Sequence, residues 1–436
     1  MFPGAPVVFP KHSVEAHSNA CLCQETAEQL SVHVAESLPG VEVLRPIWSK
    51  WSHNLDTDLD YYLHNLKSDS TILQPYVITV CRDGIPQVIL AGQITKRRIS
   101  SVVSFVNIPG PNLKSLEVIN GGRMGRQSVA IDRLLVRQLS NALRNTHVDL
   151  LCFQRLPLQS DLFRELQQVP GLLMKERVPH VFCYSVVPLT APPGKRARAF
   201  SGKNRREVRR KTRMLERAFP GKARFQCFSN PGELEAGMGD ATAVDDTTWQ
   251  HYLGCGLFDT PHASENLAFC ARREWLRIYV MYVEDSPVAF LIGQQYEQTF
   301  YCEHAGYSPD FARYSVGSLL TAWAMESLAA AGAKHVDLGE GGQEHNRRLG
   351  CDVRRVGTVH LYSSTLRGLS VNAFFAATQA VRAGGRGIRE YLRLNRTSGA
   401  WSRFLLARRR PPVGLLWEPR QTYIERRDPS SVSDKS

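Results

Sequence analysis

Residues 296–350 read YEQTFYCEHAGYSPDFARYSVGSLLTAWAMESLAAAGAKHVDLGEGGQEHNRRLG, and their order decides the fold. Residues 300–305 have strand character, and Ser308-Pro309-Asp310 is turn chemistry. Ser315 stands where a helix N-cap belongs. Val316, Leu319, Leu320 and Trp323 then recur at helical spacing, and Gly332 supplies the stop. Val336 and Leu338 alternate as in a short buried strand, ahead of Gly339, Gly341 and Gly342. The predicted order is strand, turn, helix, strand, glycine-rich loop.

That order has a chemical use. A loop feeding a helix N-terminus presents unpaired backbone N–H groups and the positive end of the helix dipole, an arrangement suited to a pyrophosphate. Small residues there, Ser315, Gly317 and Ser318, let a ligand approach the backbone. The same residues also fit a plain cap on a core helix. Spacing alone leaves both open.

The run from Gly306 to Leu320, followed by Asp337-Leu338-Gly339-Glu340-Gly341, resembles the CelD-like acetyltransferase branch of the GNAT superfamily. That branch shows a Gly-Tyr-Asp turn, an Arg-x-Ser-Pro-Gly-x-Leu-Leu helix start and an Asp-Phe-Gly-x-Gly strand end. Here Val316 stands for the usual Pro, Ser315 or Val316 for the first glycine of the pyrophosphate signature, and His345-Asn346 for a Tyr-Lys pair. The likeness spans roughly residues 45–365 and includes the basic residues 201–217. It implies two GNAT-like (acyl-CoA N-acyltransferase) α/β units, each a mixed sheet with flanking helices. It also implies acetyl-CoA or another acyl-CoA as co-substrate, held by Arg313, Ser315, Val316, Gly317 and Ser318.

Composition sets the frame. The 436 residues exceed what one core usually holds, so two domains plus tails are expected. A hydrophobic content of 43% with 22% charged residues fits an ordinary globular protein. The formal charge of +13 favours anionic partners: nucleic acid, an acidic membrane surface or a phosphate-bearing cofactor. The ten cysteines are scattered without metal-ligand spacing, and no His/Cys cluster has it either, so free thiols are expected and a metal is not. The N-terminus lacks a basic segment followed by an apolar core, and no apolar run has the length of a membrane span. A cytoplasmic protein is expected, with peripheral membrane contact as the variant. Walker-type and Gly-x-Ser-x-Gly motifs are missing from the sequence.

Taken in order, residues 1–44 read as an irregular leader and 48–66 as one amphipathic helix. Strands are expected at 76–81 and 85–91 around Asp83-Gly84, and at 101–106. The Gly, Pro and Asn content of 108–127 predicts a long loop. A helix at 129–144 and strands at 148–153 and 181–187 follow. Pro192-Pro193-Gly194 punctuates a linker before a basic helix over 201–218, which carries Arg205, Arg206, Arg209, Arg210, Arg213 and Arg217. That helix reads either as a solvated connector or as a docking face for phosphate or an acidic polymer. Next come a strand at 223–228, helices at 233–252 and 264–276, a hairpin of 277–284 with 288–296, and a last strand at 357–363. The element order of 76–187 echoes that of 277–363 without sequence identity, which suits a tandem of two α/β units. The expected domains are thus 45–190 and 223–365, joined by 191–222, with a basic helical segment at 366–420 and a disordered tail at 421–436. The basic segment reads as packing on the second domain or lying on an anionic membrane.

Acyl transfer to an amine or hydroxyl needs a proton acceptor for the nucleophile, polarisation of the thioester oxygen and in-line positioning. In the resembled family the base is often a carboxylate on the strand before the pyrophosphate loop. Glu303 is the first candidate and His304 the second, since neighbours on a strand point to opposite faces. Asp337 closes a buried strand and either orients the acceptor or binds the next loop. His345, Arg347 and Arg348 stand where related families carry a lysine. The rivals are a Fem-type aminoacyl transfer from charged tRNA and a non-catalytic GNAT-like scaffold that binds anionic partners.

Overall fold

The computed structural model describes residues 30–103, 106–145, 148–169, 180–189, 202–248, 261–340 and 351–394. They form two compact units. The first comprises 30–97, 111–169 and 358–376. The second comprises 98–110, 180–357 and 377–394, within the described residues. The expected mixed α/β class holds.

In the first unit β1 (Leu30–Ala35), α1 (Leu38–Glu42), α2 (Arg45–Trp51) and α3 (Leu59–Ser68) precede the long strands. β2 (Ile72–Arg82), β3 (Ile85–Val103) and β4 (Val106–Gly125) follow. Then come α4 (Val129–Asn145), β5 (Leu150–Pro157) and α5 (Asp161–Gln168). The strand order is β1-β2-β3-β4-β5. β1 and β3 flank β2 antiparallel, whereas β4 and β5 run parallel from Ser115↔Leu150 to Val118↔Phe153. Alternation along the strands sorts the two faces. Ile78, Val80 and Leu90 pack with Ile131, Leu135 and Leu139 of α4. Val77, Ile89 and Ala91 face Trp48 and Tyr62.

Three local expectations are corrected here. Residues 108–127 lie largely in β4, with Leu113, Leu116, Val118 and Met124 buried. Its glycines mark close backbone contact: a Cβ on Gly122 would stand 2.6 Å from the Ala91 carbonyl oxygen. Residues 30–44 belong to β1 and α1, because LSVHVA pairs along β2 from Leu30↔Arg82 to Ala35↔Val77. The single helix expected over 48–66 is broken. Asn54 caps a 3-10 turn and the Asp58 side chain accepts the Tyr61 N–H at 2.9 Å, so α3 starts afresh.

The second unit contains β6 (His180–Pro188), α6 (Gly202–Ala218), β7 (Ala223–Phe228), α7 (Leu234–Asp245) and α8 (Pro261–Arg272). β8 (Leu276–Val283), β9 (Ser286–Tyr296) and β10 (Thr299–Tyr307) lead through a 3-10 turn, Pro309–Tyr314, into α9 (Val316–Ala330) and β11 (His335–Glu340). The strand order is β6-β11-β10-β9-β8-β7. Met281, Leu291, Phe300, Val316, Leu319, Leu320 and Met325 form the core between this sheet and α9. At roughly 1.5–3 kcal/mol for each fully buried large side chain, this packing is what fixes α9 on the sheet.

The predicted repeat of element order holds up to its last strand with one change, since the separate strand expected at 101–106 falls across the end of β3 and the start of β4, and β4 takes its place. β6, assigned by that pattern to the first half, pairs antiparallel with β11 in the second unit. β12 (Asp352–Tyr362), assigned to the second half, places Val359 and Leu361 in the core of the first. Strand pairing is non-local and does not show in a local pattern. β12 also begins five residues before the expected 357. α10 (Leu366–Leu394) starts the basic segment. The linker at 191–201, the loop at 341–350 and the tail at 395–436 lie outside the described residues.

Candidate functional site

The site grows out of one break in the sheet. β10 and β11 are parallel and paired at Thr299↔His335, Phe300↔Val336 and Tyr301↔Asp337. Past that rung β10 runs on to Tyr307 beside β9, and β11 turns away at Gly339, whose φ is +67°. A parallel pair that parts leaves backbone N–H and C=O groups of β10 without a strand partner on that side.

Glu303 lies at the start of this open edge. The register with β9 passes from Cys302↔Gly293 to His304↔Ile292, so Glu303 is the extra residue of a β-bulge. The simple alternation that set Glu303 and His304 on opposite faces is therefore corrected, since a bulge re-aims the side chains around it. The Gln294 side-chain amide donates to the Glu303 carboxylate. Gln294 itself is buried, and both Glu303 and His304 are half-buried.

Asp337 is buried on the facing strand. Its carboxylate accepts the Gly339 N–H at 2.7 Å and the Tyr184 hydroxyl. These bonds hold the turn that carries β11 away from β10. The Gly339 bond lies within β11, and the loop at 341–350, whose binding is one of the two roles expected for Asp337, falls outside the described residues.

The approach to α9 differs from a standard cap. Ser315 has φ 57° and ψ 42°, the left-handed region, and its side chain makes no cap hydrogen bond. This corrects the expected side-chain N-cap. The Ser315 carbonyl instead accepts from Ser318 N–H at 2.9 Å and Leu319 N–H at 3.1 Å, and its own N–H donates to Ala312. The amides of Val316 and Gly317 make no hydrogen bond among the described residues. Val316 is fully buried, backbone included, with its side chain in the core, whereas Gly317 and Ser318 are half-buried. A Cβ on Gly317 would come within 3.3 Å of the Tyr307 ring.

Beside this turn lies a cavity of about 740 Å³. Its walls are Arg206, Arg209, Arg210, Arg213 and Arg217 of α6 and Arg313 at the foot of α9, with Met214 and Tyr314 between them. α6 is held there by buried Leu215, by Val208 and Met214 against the core, and by Phe219 against Phe311 and Tyr314. Lys211 donates its ammonium to the Arg313 carbonyl. Arg210 pairs with Glu207 through Nη2–Oε1 at 2.6 Å and Nε–Oε2 at 2.9 Å. Arg206, Arg209, Arg213 and Arg217 face no carboxylate partner among the described residues. Six guanidinium groups thus gather beside the turn that leads into α9.

The structure brings Arg313 and residues 315–318 next to the arginine row, and it sets Glu303 and Asp337 on the two strands that part. Arg205 does not line the cavity. Gln294 and Tyr184 escaped the sequence reading, because the partner of each is supplied by another strand. Among the described residues no group of His, Cys, Asp and Glu could hold a metal ion. No described helix is long and apolar enough to cross a membrane.

Comparison with curated proteins finds no match. Among solved structures, the crystal structure of FemX is similar with a TM-score of 0.50 at 9% identity, covering 76% of this chain and 96% of that one. The tandem GNAT protein from the clavulanic acid biosynthesis pathway gives a TM-score of 0.44 at 10% identity, over 77% of this chain and 99% of that one. L-PGS from Bacillus licheniformis gives 0.45 at 15% identity, over 79% and 98%. At these identities the likeness concerns the fold alone. Residues 202–347, from the first residue of α6 past the end of β11, match the family model described as an acetyltransferase (GNAT) domain, a stretch that includes both the parted strands and the arginine helix.

Proposed function

We propose that the protein is an acyltransferase that takes an acyl group from acyl-CoA, with acetyl-CoA the simplest donor, and passes it to an amine or hydroxyl. One observation carries this reading: the arginine-lined cavity shares Arg313 and Tyr314 with the turn into α9, where half-buried Gly317 has an amide with no partner among the described residues. Amides at a helix N-terminus and guanidinium groups together suit a diphosphate. The open edge of β10 offers backbone groups to an extended, amide-bearing arm reaching from that diphosphate toward Glu303.

In the step itself the acceptor nitrogen or oxygen attacks the thioester carbonyl. A C–N or C–O bond forms, the C–S bond breaks, and CoA leaves as the thiol or thiolate. Glu303 takes the acceptor proton, directly or through a water, with Gln294 holding its carboxylate in place. Asp337 fixes the backbone of β11 at Gly339, where the strand parts from β10. His304 is the alternative base. Use of an intracellular thioester fits a cytoplasmic protein, with peripheral membrane contact as the variant, and the CelD-like resemblance points to acceptors of envelope or exopolysaccharide metabolism.

A second reading has its own support. A row of unpaired arginines also suits a charged tRNA as donor. Calorimetry with acetyl-CoA, longer acyl-CoAs and aminoacyl-tRNA, followed by single-turnover assays with whichever binds, decides between them. Submicromolar to micromolar binding of an acyl-CoA is the expected result. Binding of aminoacyl-tRNA alone would overturn the acyl-CoA reading.

A further inference from the structure

We infer that the arginine cavity is a subsite for the nucleotide end of the donor and reads a phosphate monoester beyond the diphosphate, the 3′-phosphate of CoA. The inference rests on the acyl-CoA reading above. A count of charges starts it. The unpartnered Gly317 amide and the dipole of α9 already provide for a diphosphate. The cavity adds six guanidinium groups, and among the described residues only Arg210 has a carboxylate beside it. Like charges gathered in a concavity repel one another, and an anion that enters relieves this.

The arrangement is directional. Positions 206, 209, 210, 213 and 217 share one face of α6 and extend over roughly 16 Å at a helical rise of about 1.5 Å per residue. Leu215, Phe219 and the Lys211 bond to the Arg313 carbonyl fix this row against the foot of α9. The arginines are thus presented at a set place rather than on a free arm. A planar guanidinium grips a phosphate with two parallel N–H bonds, which suits a terminal monoester with three free oxygens. A volume near 740 Å³ is that of a small-molecule cleft, and a concave wall fits a nucleotide better than a flat lipid surface. The subsite makes the protein selective for the 3′-phosphorylated carrier over its dephosphorylated form.

The test is calorimetry on the full chain with CoA and 3′-dephospho-CoA, repeated with the Arg209→Gln/Arg213→Gln double variant. Both arginines are exposed, and circular dichroism checks that the fold is retained. A second pair, Arg206→Gln/Arg217→Gln, serves if the first does not fold. CoA should bind on the order of 10- to 100-fold more tightly than 3′-dephospho-CoA, the worth of one charged contact. The variant should lose most of that preference while its affinity for 3′-dephospho-CoA changes little. The preference should also shrink as salt is raised. Equal affinities in the unaltered protein overturn the subsite and leave the acyl-CoA reading standing. Binding of neither ligand overturns both. Arginine-dependent binding of uncharged tRNA without CoA binding reassigns the cavity to nucleic acid.

Discussion

Tyr301 and Asp337 form the last rung of the parallel ladder between β10 and β11 among the described residues. Asp337 is the more consequential of the two, because the same carboxylate that ends the ladder holds the Gly339 amide and the Tyr184 hydroxyl. Removing it leaves a buried N–H and a phenol without an acceptor. Asp337→Ala should therefore cost about 1–3 kcal/mol in urea unfolding. Tyr184→Phe, which removes one donor and leaves the carboxylate bonded to Gly339, should cost about 1 kcal/mol. A stability loss near zero in Asp337→Ala would refute the structural role given to this residue.

The turn into α9 offers a sharper test of donor binding. A Cβ on Gly317 would stand 3.3 Å from the Tyr307 ring, tighter than ordinary van der Waals contact, and the Gly317 amide has no partner among the described residues. A valine there crowds the Tyr307 ring and narrows the approach to the amides. Gly317→Val should weaken acetyl-CoA binding by roughly tenfold or more, about 1.4 kcal/mol. Its folding free energy should fall by less than about 2 kcal/mol, since Tyr307 is partly exposed and can yield. Unchanged affinity in a folded variant would move the diphosphate elsewhere.

Local signals in the chain made much of this legible. The apolar spacing of Val316, Leu319 and Leu320 located α9 to within a residue, and Ala223–Phe228 was readable as β7 without error. The arginine excess of 201–218 announced a charged face. What the sequence could not announce was that Leu215 and Phe219 dock this helix against Tyr314 and so bring the face to the foot of α9. Bulges were equally silent, because the extra residue at Glu303 exists only by reference to β9. The glycines of 120–127 misled for a physical reason: close backbone approach selects Gly as strongly as a loop does.

Alkaline pH should weaken the first unit through Cys81. This thiol is fully buried in β2, and burial pushes its pKa from 9.0 up to about 11. A raised folded-state value means that the neutral thiol's contribution is whole below about pH 9. It is then lost as pH rises through about 11. The unaltered protein should lose on the order of 2 kcal/mol more stability than Cys81→Ala between pH 8 and 10.5. The alanine variant has its own packing cost, but at every pH alike. Parallel urea titrations at both pH values read the difference, and identical losses in the two proteins would exclude Cys81 as its source.

Glu303 carries the chemistry in the proposed reaction, and its neighbour supplies a clean substitution. Gln294 donates an amide N–H to the Glu303 carboxylate, and a glutamine at 303 can still accept that bond through its carbonyl oxygen. Glu303→Gln is therefore nearly isosteric and should leave folding within about 1 kcal/mol. Acetyl-CoA affinity should also persist, because the residues assigned to the phosphates lie on α6 and around the start of α9. What the amide cannot do is accept a proton. Single-turnover rates should fall by roughly two to four orders of magnitude, the usual worth of a general base. A parallel His304→Gln variant should retain most of its rate. If the two variants exchange these behaviours, the base is His304. If both remain near full rate across the pH range, the acceptor loses its proton without help from β10.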